Sequence, residues 1–121
     1  MPSFRKKGKV SVWVGQVKID PQIDILRDLC GVKAYDLDLQ ECIVDAKKWK
    51  PQKIAKLLSQ LSFPESFADD AAAAIGKFGI DSALYLICQY DFAYNPKRAI
   101  QPISSDPQFV GCFVWTNLED D

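Results

Sequence analysis

Three segments of the chain have the apolar pattern of β-strands. In the first, Val10, Val12 and Val14 recur at every second position, which is the period of a strand. The second, from Ser82 to Phe92, is apolar on both faces at its start, so we expect it at the centre of a sheet. The third, from Gln108 to Trp115, is predicted to pair antiparallel with the second.

Three other segments have the spacing of amphipathic helices. A capping carboxylate at Asp20, followed by a proline, predicts a first helix from Pro21 to Cys30. A second helix is predicted from Pro51 to Leu61, where leucines and an isoleucine form one stripe. The sequence SFPE at residues 62–65 has the form of a capping box and predicts a third helix that ends at Phe78.

The segment between the first two helices fits two structures. Tyr35, Leu37 and Leu39 alternate with acidic and polar residues, which is typical of a short edge strand that points its acids outward. The apolar positions that also fit a helical face are Leu39, Cys42, Ile43 and Ala46. We expect an extended segment at residues 34–39, followed by irregular chain in which residues 41–45 are candidates for short strand pairing.

These elements predict one α+β domain that spans residues 1–121. Its sheet is expected to be antiparallel with three or more strands, and about three helices are expected to pack on one of its faces. A chain of 121 residues is long enough to bury a core without disulfides or metals. Residues 1–8 and 117–121 are expected to be loose tails. The long connection between the last two predicted strands is a candidate functional loop.

The composition argues against a metal site, a cofactor and a membrane anchor. The chain has four cysteines but no C-x-x-C spacing and no histidine, so the closely paired cysteines, or cysteines with histidines, that usually hold zinc are missing. Each cysteine lies within an apolar pattern and is expected to be a reduced core thiol. No apolar run reaches the roughly 18 residues of a membrane-spanning helix. The basic N-terminus precedes an interrupted apolar stretch, which makes a poor signal peptide, so we expect a cytoplasmic protein.

Charge is unevenly distributed along the chain, although the net charge is only −1. Seven acids lie in one stretch, namely Asp20, Asp24, Asp28, Asp36, Asp38, Glu41 and Asp45. An acidic surface attracts basic partners and raises association rates, and Tyr35 is of the residue type that anchors interfaces. An ordinary hydrophilic surface explains the same acids equally well. The lysines at positions 47–56 fit a solvated helix face, so no nucleic-acid partner is expected.

Paired carboxylates are the only candidate catalytic groups in the sequence. Asp36 with Asp38, and Asp69 with Asp70, are close enough in the chain to act together. Such pairs perform acid–base or metal chemistry when they are buried in a cleft. Because acidic side chains are rarely buried without a partner, solvated surface acids are the favoured interpretation.

Three positions in the predicted strands stand out. Asp91 lies between two aromatic residues, and we interpret it as a strand-end acid that caps backbone N–H groups or pairs with Lys97 or Arg98. The alternative is an exposed contact residue. Trp13 is predicted to be a core residue that packs on the helix layer, and Gly15 is expected to give room for a neighbouring backbone.

Three stretches, VSVWVG at residues 10–15, ALYLICQYDF at 83–92 and FVGCFVW at 109–115, carry a family resemblance. In this order they resemble immunity protein family 22 of bacterial polymorphic toxin systems, a family of small α+β proteins. The residues that match the pattern of this family are Trp13, Gly15, Asp91, Gly111 and Phe113. The acidic segment at residues 32–50 has no counterpart in that pattern.

The resemblance implies a protein that is not an enzyme and that binds and neutralises a cognate toxin domain, often a nuclease. The signature residues are then assigned to structure, and the acidic segment to the toxin. The candidate toxin-binding residues are Tyr35, Asp36, Asp38, Glu41 and Asp45. No cofactor, metal or membrane partner is expected. The alternatives are a small metal-dependent hydrolase that uses the paired aspartates, and a general protein-binding adaptor domain.

Overall fold

The computed structural model describes residues 4–20, 22–44, 49–62, 66–99, 103 and 105–115. The strands are β1 (Arg5–Gly15), β2 (Gln40–Val44), β3 (Gln52–Lys53), β4 (Ser82–Ala83), β5 (Tyr85–Phe92) and β6 (Gln108–Val114). Four of them form an antiparallel sheet in the order β2, β5, β1, β6, and β3 pairs with β4 in a separate sheet. The predicted antiparallel sheet, and the central place of β5 within it, are confirmed.

The described helices are short. They are α1 (Ile54–Ser59), α2 (Ala68–Lys77), a π-helix at Ile25–Leu29 and 3-10 helices at Leu37–Leu39 and Pro96–Arg98. With the sheet, they confirm the α+β class. None of the helices in the described part of the chain is long and apolar enough to cross a membrane.

The two faces of the main sheet carry separate hydrophobic clusters. Because side chains alternate along β1, Val10, Val12 and Val14 lie on one face and Trp13 lies on the other. α1 and α2 cover the valine face, whereas the π-helix packs against the Trp13 face. Helices were expected on one face, and they lie on both. The reason is that β1 and β5 are apolar on both faces, so each face needs its own cover.

The first helix is shorter than the predicted span of residues 21–30. Asp20 accepts a hydrogen bond from the backbone N–H of Gln22 (2.8 Å), and Asp24 accepts one from the backbone N–H of Arg27 (3.1 Å). The two aspartates thus cap two successive turns instead of one continuous helix. Only the second turn continues, as the five-residue π-helix.

The other two helices also begin later than the sequence predicts. α1 begins at Ile54 because Gln52 and Lys53 pair with β4 as the short strand β3. α2 begins at Ala68, and residues 63–65 of the predicted capping box lie outside the described residues. The hydroxyl of Ser62 donates to Glu41 (2.7 Å), a contact that the capping-box interpretation did not anticipate.

The predicted edge strand at residues 34–39 is wrong, while the pairing proposed just after it is confirmed for residues 41–44. Residues 37–39 form a 3-10 helix, and the strand is β2, which pairs along its whole length with β5. The carboxylate of Asp36 accepts from the backbone N–H of Asp38 (3.0 Å). This local bond competes with an extended conformation, which explains the turn.

Two predictions about the ends of the sheet are also wrong. β6 pairs with β1 and not with β5, because β2 and β1 already occupy both edges of β5. Residues 1–8 were expected to be loose, yet β1 begins at Arg5, so that expectation is wrong for residues 5–8, while residues 1–3 and the predicted tail at 117–121 lie outside the described residues. The ring of Phe4 is buried 5.5 Å from that of Phe92 and 5.2 Å from that of Tyr94.

Candidate partner-binding cleft

A cavity opens where β5 ends beside the segment that precedes β2. It has a volume of about 500 Å³ and is lined by residues 34–37, 39 and 89–92 together with Arg5. We call it the β5-end cleft. It brings together two of the predicted toxin-binding residues, Tyr35 and Asp36, and the signature residue Asp91.

Side-chain hydrogen bonds hold the outer wall of the cleft against the core. The carbonyl oxygen of Asp36 accepts from Nε2 of Gln89 (2.7 Å), and Gln89 is 1% exposed. The hydroxyl of Tyr35 donates to Oδ1 of Asp24 (2.7 Å). Burial and this bond raise the pKa of Tyr35 to about 12, so the hydroxyl stays protonated at neutral pH and keeps donating. The wall is therefore pre-formed and needs no partner to order it.

Leu37 is the functional candidate that the sequence analysis missed. Its side chain is 67% exposed, which is the highest value among the large apolar side chains of the described residues. It lies in the 3-10 helix at the rim of the cleft, with the exposed Asp36 and Asp38 on either side of it in the chain. An exposed apolar side chain at the edge of a preformed cleft is suited to pack against a partner. The only sequence signal for it was the alternation that we assigned to a strand.

The five predicted toxin-binding residues divide into three groups. Tyr35 is half-buried and Asp36 exposed at the cleft, while Asp38 lines a neighbouring hollow of about 130 Å³ with Glu41. The carboxylate of Glu41 is already hydrogen-bonded to other residues of the protein. Its carboxylate accepts from the backbone N–H (2.9 Å) and hydroxyl (2.7 Å) of Ser62 and from the hydroxyl of Tyr90 (2.6 Å). Asp45 lies outside the described residues.

Replacing Glu41 by alanine is expected to lower the free energy of unfolding by about 2–3 kcal/mol, because three donors lose a charged acceptor. Chemical denaturation measures the change. Asp38→Ala is the control, since Asp38 is exposed, and we expect a loss of about 0.5 kcal/mol or less. An equal loss of unfolding free energy in the two variants would show that the hydrogen bonds of Glu41 do not stabilise the fold.

Asp91 has a clear structural role. Its φ is +54°, a conformation that Asp and Asn adopt more readily than most residues. Oδ1 accepts from the backbone N–H of Gly8 (2.9 Å) and from Nε1 of Trp115 (3.2 Å), which confirms the interpretation that it caps backbone N–H groups. The irregular backbone here also interrupts the alternation of β5, so that Tyr90 packs on the valine face and Phe92 on the Trp13 face.

The other signature residues lie away from the cleft lining. Trp13 is 1% exposed, and its ring centroid is 5.1 Å from that of Tyr94. Gly15 makes room for a side chain and not for a backbone, because a Cβ there would overlap the ring of Tyr85. Gly111 lies with φ +148° at a register shift between β1 and β6, and Phe113 packs against the valine-face cluster. These residues shape the sheet and its core.

The described residues offer little for catalysis. They contain no group of three or more cysteine, aspartate or glutamate side chains that could hold a metal ion. Burial raises the pKa of both Cys30 and Cys88 to about 12, so the reactive thiolate is disfavoured at neutral pH. Asp69 and Asp70 are exposed in the first turn of α2.

Comparison of the chain with protein-family models, curated proteins and solved structures found no match. Of the five signature positions, Asp91 alone lines the cleft, so the motif and the candidate site meet at one residue.

Proposed function

We propose that this protein is a non-enzymatic binding protein that neutralises a bacterial toxin domain by tight association. The observation that carries the proposal is the exposed Leu37 at the rim of a preformed cleft, flanked in the chain by the exposed carboxylates of Asp36 and Asp38. Interfaces of this kind combine a central apolar contact with a charged rim that steers the encounter. The resemblance to immunity protein family 22 supports a toxin as the partner.

The charge of the contact surface favours a basic partner. Asp36 lines the cleft and Asp38 is exposed beside it in the chain, while the exposed Asp28 of the same acidic segment is ion-paired with Arg27 at 3.7 Å. A nuclease domain presents a basic surface to its nucleic-acid substrate, and an acidic protein that covers that surface blocks the substrate. The wall is held by hydrogen bonds to the core, which limits the entropy lost on binding.

Removing the negative charge of the rim is expected to slow association with the cognate toxin domain, which the proposal expects to be encoded beside this protein's gene. The variant combines Asp36→Asn, which retains the capping oxygen, with Asp38→Lys. We expect the association rate to fall about tenfold at low salt, with a smaller difference at high salt because salt screens the steering. Stopped-flow or surface-immobilised binding at two salt concentrations measures this.

The matched control places the same charge change on α2, with Asp69→Asn and Asp70→Lys, since both acids are exposed away from the cleft lining. This control is expected to leave the association rate nearly unchanged. An unchanged rate for the Asp36 and Asp38 variant at low salt would contradict the assignment of the rim. Absence of any association with the neighbouring toxin domain would contradict the proposed function.

A further inference from the structure

We infer that the β5-end cleft receives the side chain of one arginine from the toxin domain, an inference that rests on the proposed function. Two carboxylates line the cleft from different parts of the chain, Asp36 on the outer wall and Asp91 at the end of β5. The cavity volume of about 500 Å³ lies within the range of pockets that enclose small ligands. A side chain of the partner is therefore able to enter it.

Asp36 and Asp91 each have one carboxylate oxygen that accepts no hydrogen bond within the described residues, and such oxygens are suited to bind a cation. Both bonds to Asp91 end on Oδ1, and Oδ2 accepts no hydrogen bond within the described residues. The bond from Asp38 to Asp36 likewise ends on Oδ1. Each carboxylate thus uses one oxygen to hold the fold and keeps the other available. A cationic donor gains two acceptors without breaking either structural bond.

The lining distinguishes arginine from lysine. A guanidinium is planar and has five N–H donors, so it is able to bridge two carboxylates and stack on an aromatic ring at once. The half-buried Tyr35 supplies a ring to the same lining, whereas the rings of Tyr90 and Phe92 are buried in the two core clusters. A lysine ammonium is a compact charge that cannot stack in this way. Leu37 at the rim is then available to pack against the aliphatic part of the entering side chain or its neighbours.

Arg5 also lines the cleft. Removing its charge is therefore expected to change the affinity of a cationic ligand in the opposite direction to removing the charge of an aspartate. Arg5 lies exposed at the start of β1 and brings one positive charge to the same lining as the two aspartates. If the cleft receives a cation, removing the charge of Arg5 strengthens binding. If the cleft instead receives an anion held by Arg5, the same change weakens binding.

The experiment titrates the 121-residue chain with N-acetyl-arginine amide and follows amide resonances by NMR. The reporters are the backbone N–H of Gly8 and the indole N–H of Trp115, because both donate to Asp91. We expect binding at millimolar concentration, with little binding of the citrulline analogue, which has the same shape and no charge. N-acetyl-glutamate amide is the anionic probe, and shifts with it in place of the arginine probe would overturn the inference.

Three variants test the residues. Asp91→Asn keeps the Oδ1 acceptor and tolerates positive φ, so the fold is retained while the charge is lost. We expect it to weaken binding of the arginine probe about fivefold, while Arg5→Gln strengthens it by about the same factor. Asp69→Asn, which makes the same charge change outside the cleft lining, is expected to have no effect. Equal effects of Asp91→Asn and Asp69→Asn would overturn the inference.

Different experimental results would contradict the inference and the proposed function. If the toxin domain binds with equal affinity to the wild type and to Asp91→Asn, and the arginine probe causes no shift, the cleft is not an arginine site and the proposed function stands. If the arginine probe binds as expected but the neighbouring toxin domain does not, the site is supported and the proposed function is wrong. If the toxin domain binds and Asp91→Asn weakens it, both are supported.

Discussion

Replacing Trp13 by alanine is expected to lower the free energy of unfolding by about 3–5 kcal/mol. Trp13 is 1% exposed and lies in β1, opposite Ile87 of β5 and Phe109 of β6. Its ring packs 5.4 Å from that of Phe109, centroid to centroid. Truncation therefore opens a cavity between both neighbouring strands and the π-helix. Since domains of this size are stable by about 5–15 kcal/mol, the loss is a large part of the total.

Chemical denaturation followed by circular dichroism measures the Trp13 effect. Trp49→Ala is the control, because Trp49 is only half-buried and contacts Lys18 at 5.8 Å from its ring centroid. We expect the control to lose about 1.5 kcal/mol or less. Trp13→Phe keeps an aromatic ring and should fall between the two. A Trp13→Ala protein as stable as the Trp49→Ala protein would contradict the role of Trp13 as a central core residue.

Replacing Gly15 by alanine is expected to lower the free energy of unfolding by about 3 kcal/mol, which is large for the addition of one methyl group. Gly15 lies directly opposite Tyr85 in the β1–β5 ladder, and the fully buried ring of Tyr85 occupies the space where a Cβ would lie. The ring cannot move without displacing the core around it. The control is the same substitution at Gly76, which is expected to raise the free energy of unfolding instead of lowering it.

A Cβ at Gly76 would meet no atom within 4 Å, and Gly76 lies inside α2. Gly76→Ala is therefore expected to stabilise the protein by about 0.5–1 kcal/mol through helix propensity. The cause of the Gly15 effect is tested by adding Tyr85→Leu, which removes the outer ring atoms. In that background Gly15→Ala should cost about 1 kcal/mol or less. An undiminished cost would show that the ring of Tyr85 is not the obstacle.

The structural roles of Trp13 and Gly15 separate the family resemblance from the candidate binding surface. Both residues stabilise the sheet, and neither lines the β5-end cleft. Asp91 belongs to both, because its Oδ1 accepts hydrogen bonds from Gly8 and Trp115 and the residue also lines the cleft.

Several features of this protein follow from the sequence by itself. The alternation in β1 and the continuous apolar run of β5 correctly predicted two buried strands, since a local apolar pattern reports which faces of a strand are covered. Asp91 was correctly predicted to cap backbone N–H groups because a carboxylate at the end of an apolar strand needs nearby donors. The acidic character of the segment before β2 is likewise a property of the sequence.

Only the tertiary structure decided which strands pair, where the short helices begin and what the site contains. β6 was assigned to the wrong neighbour because a strand pattern reports its faces and not its partner. The strand at residues 34–39 was wrong because the Asp36 cap forms a turn there. Glu41 resembles the other acids in the sequence, yet Ser62 and Tyr90 occupy its carboxylate. Asp36 and Asp91 meet in one cleft because β2 pairs with β5, and that pairing depends on long-range packing that no local pattern contains.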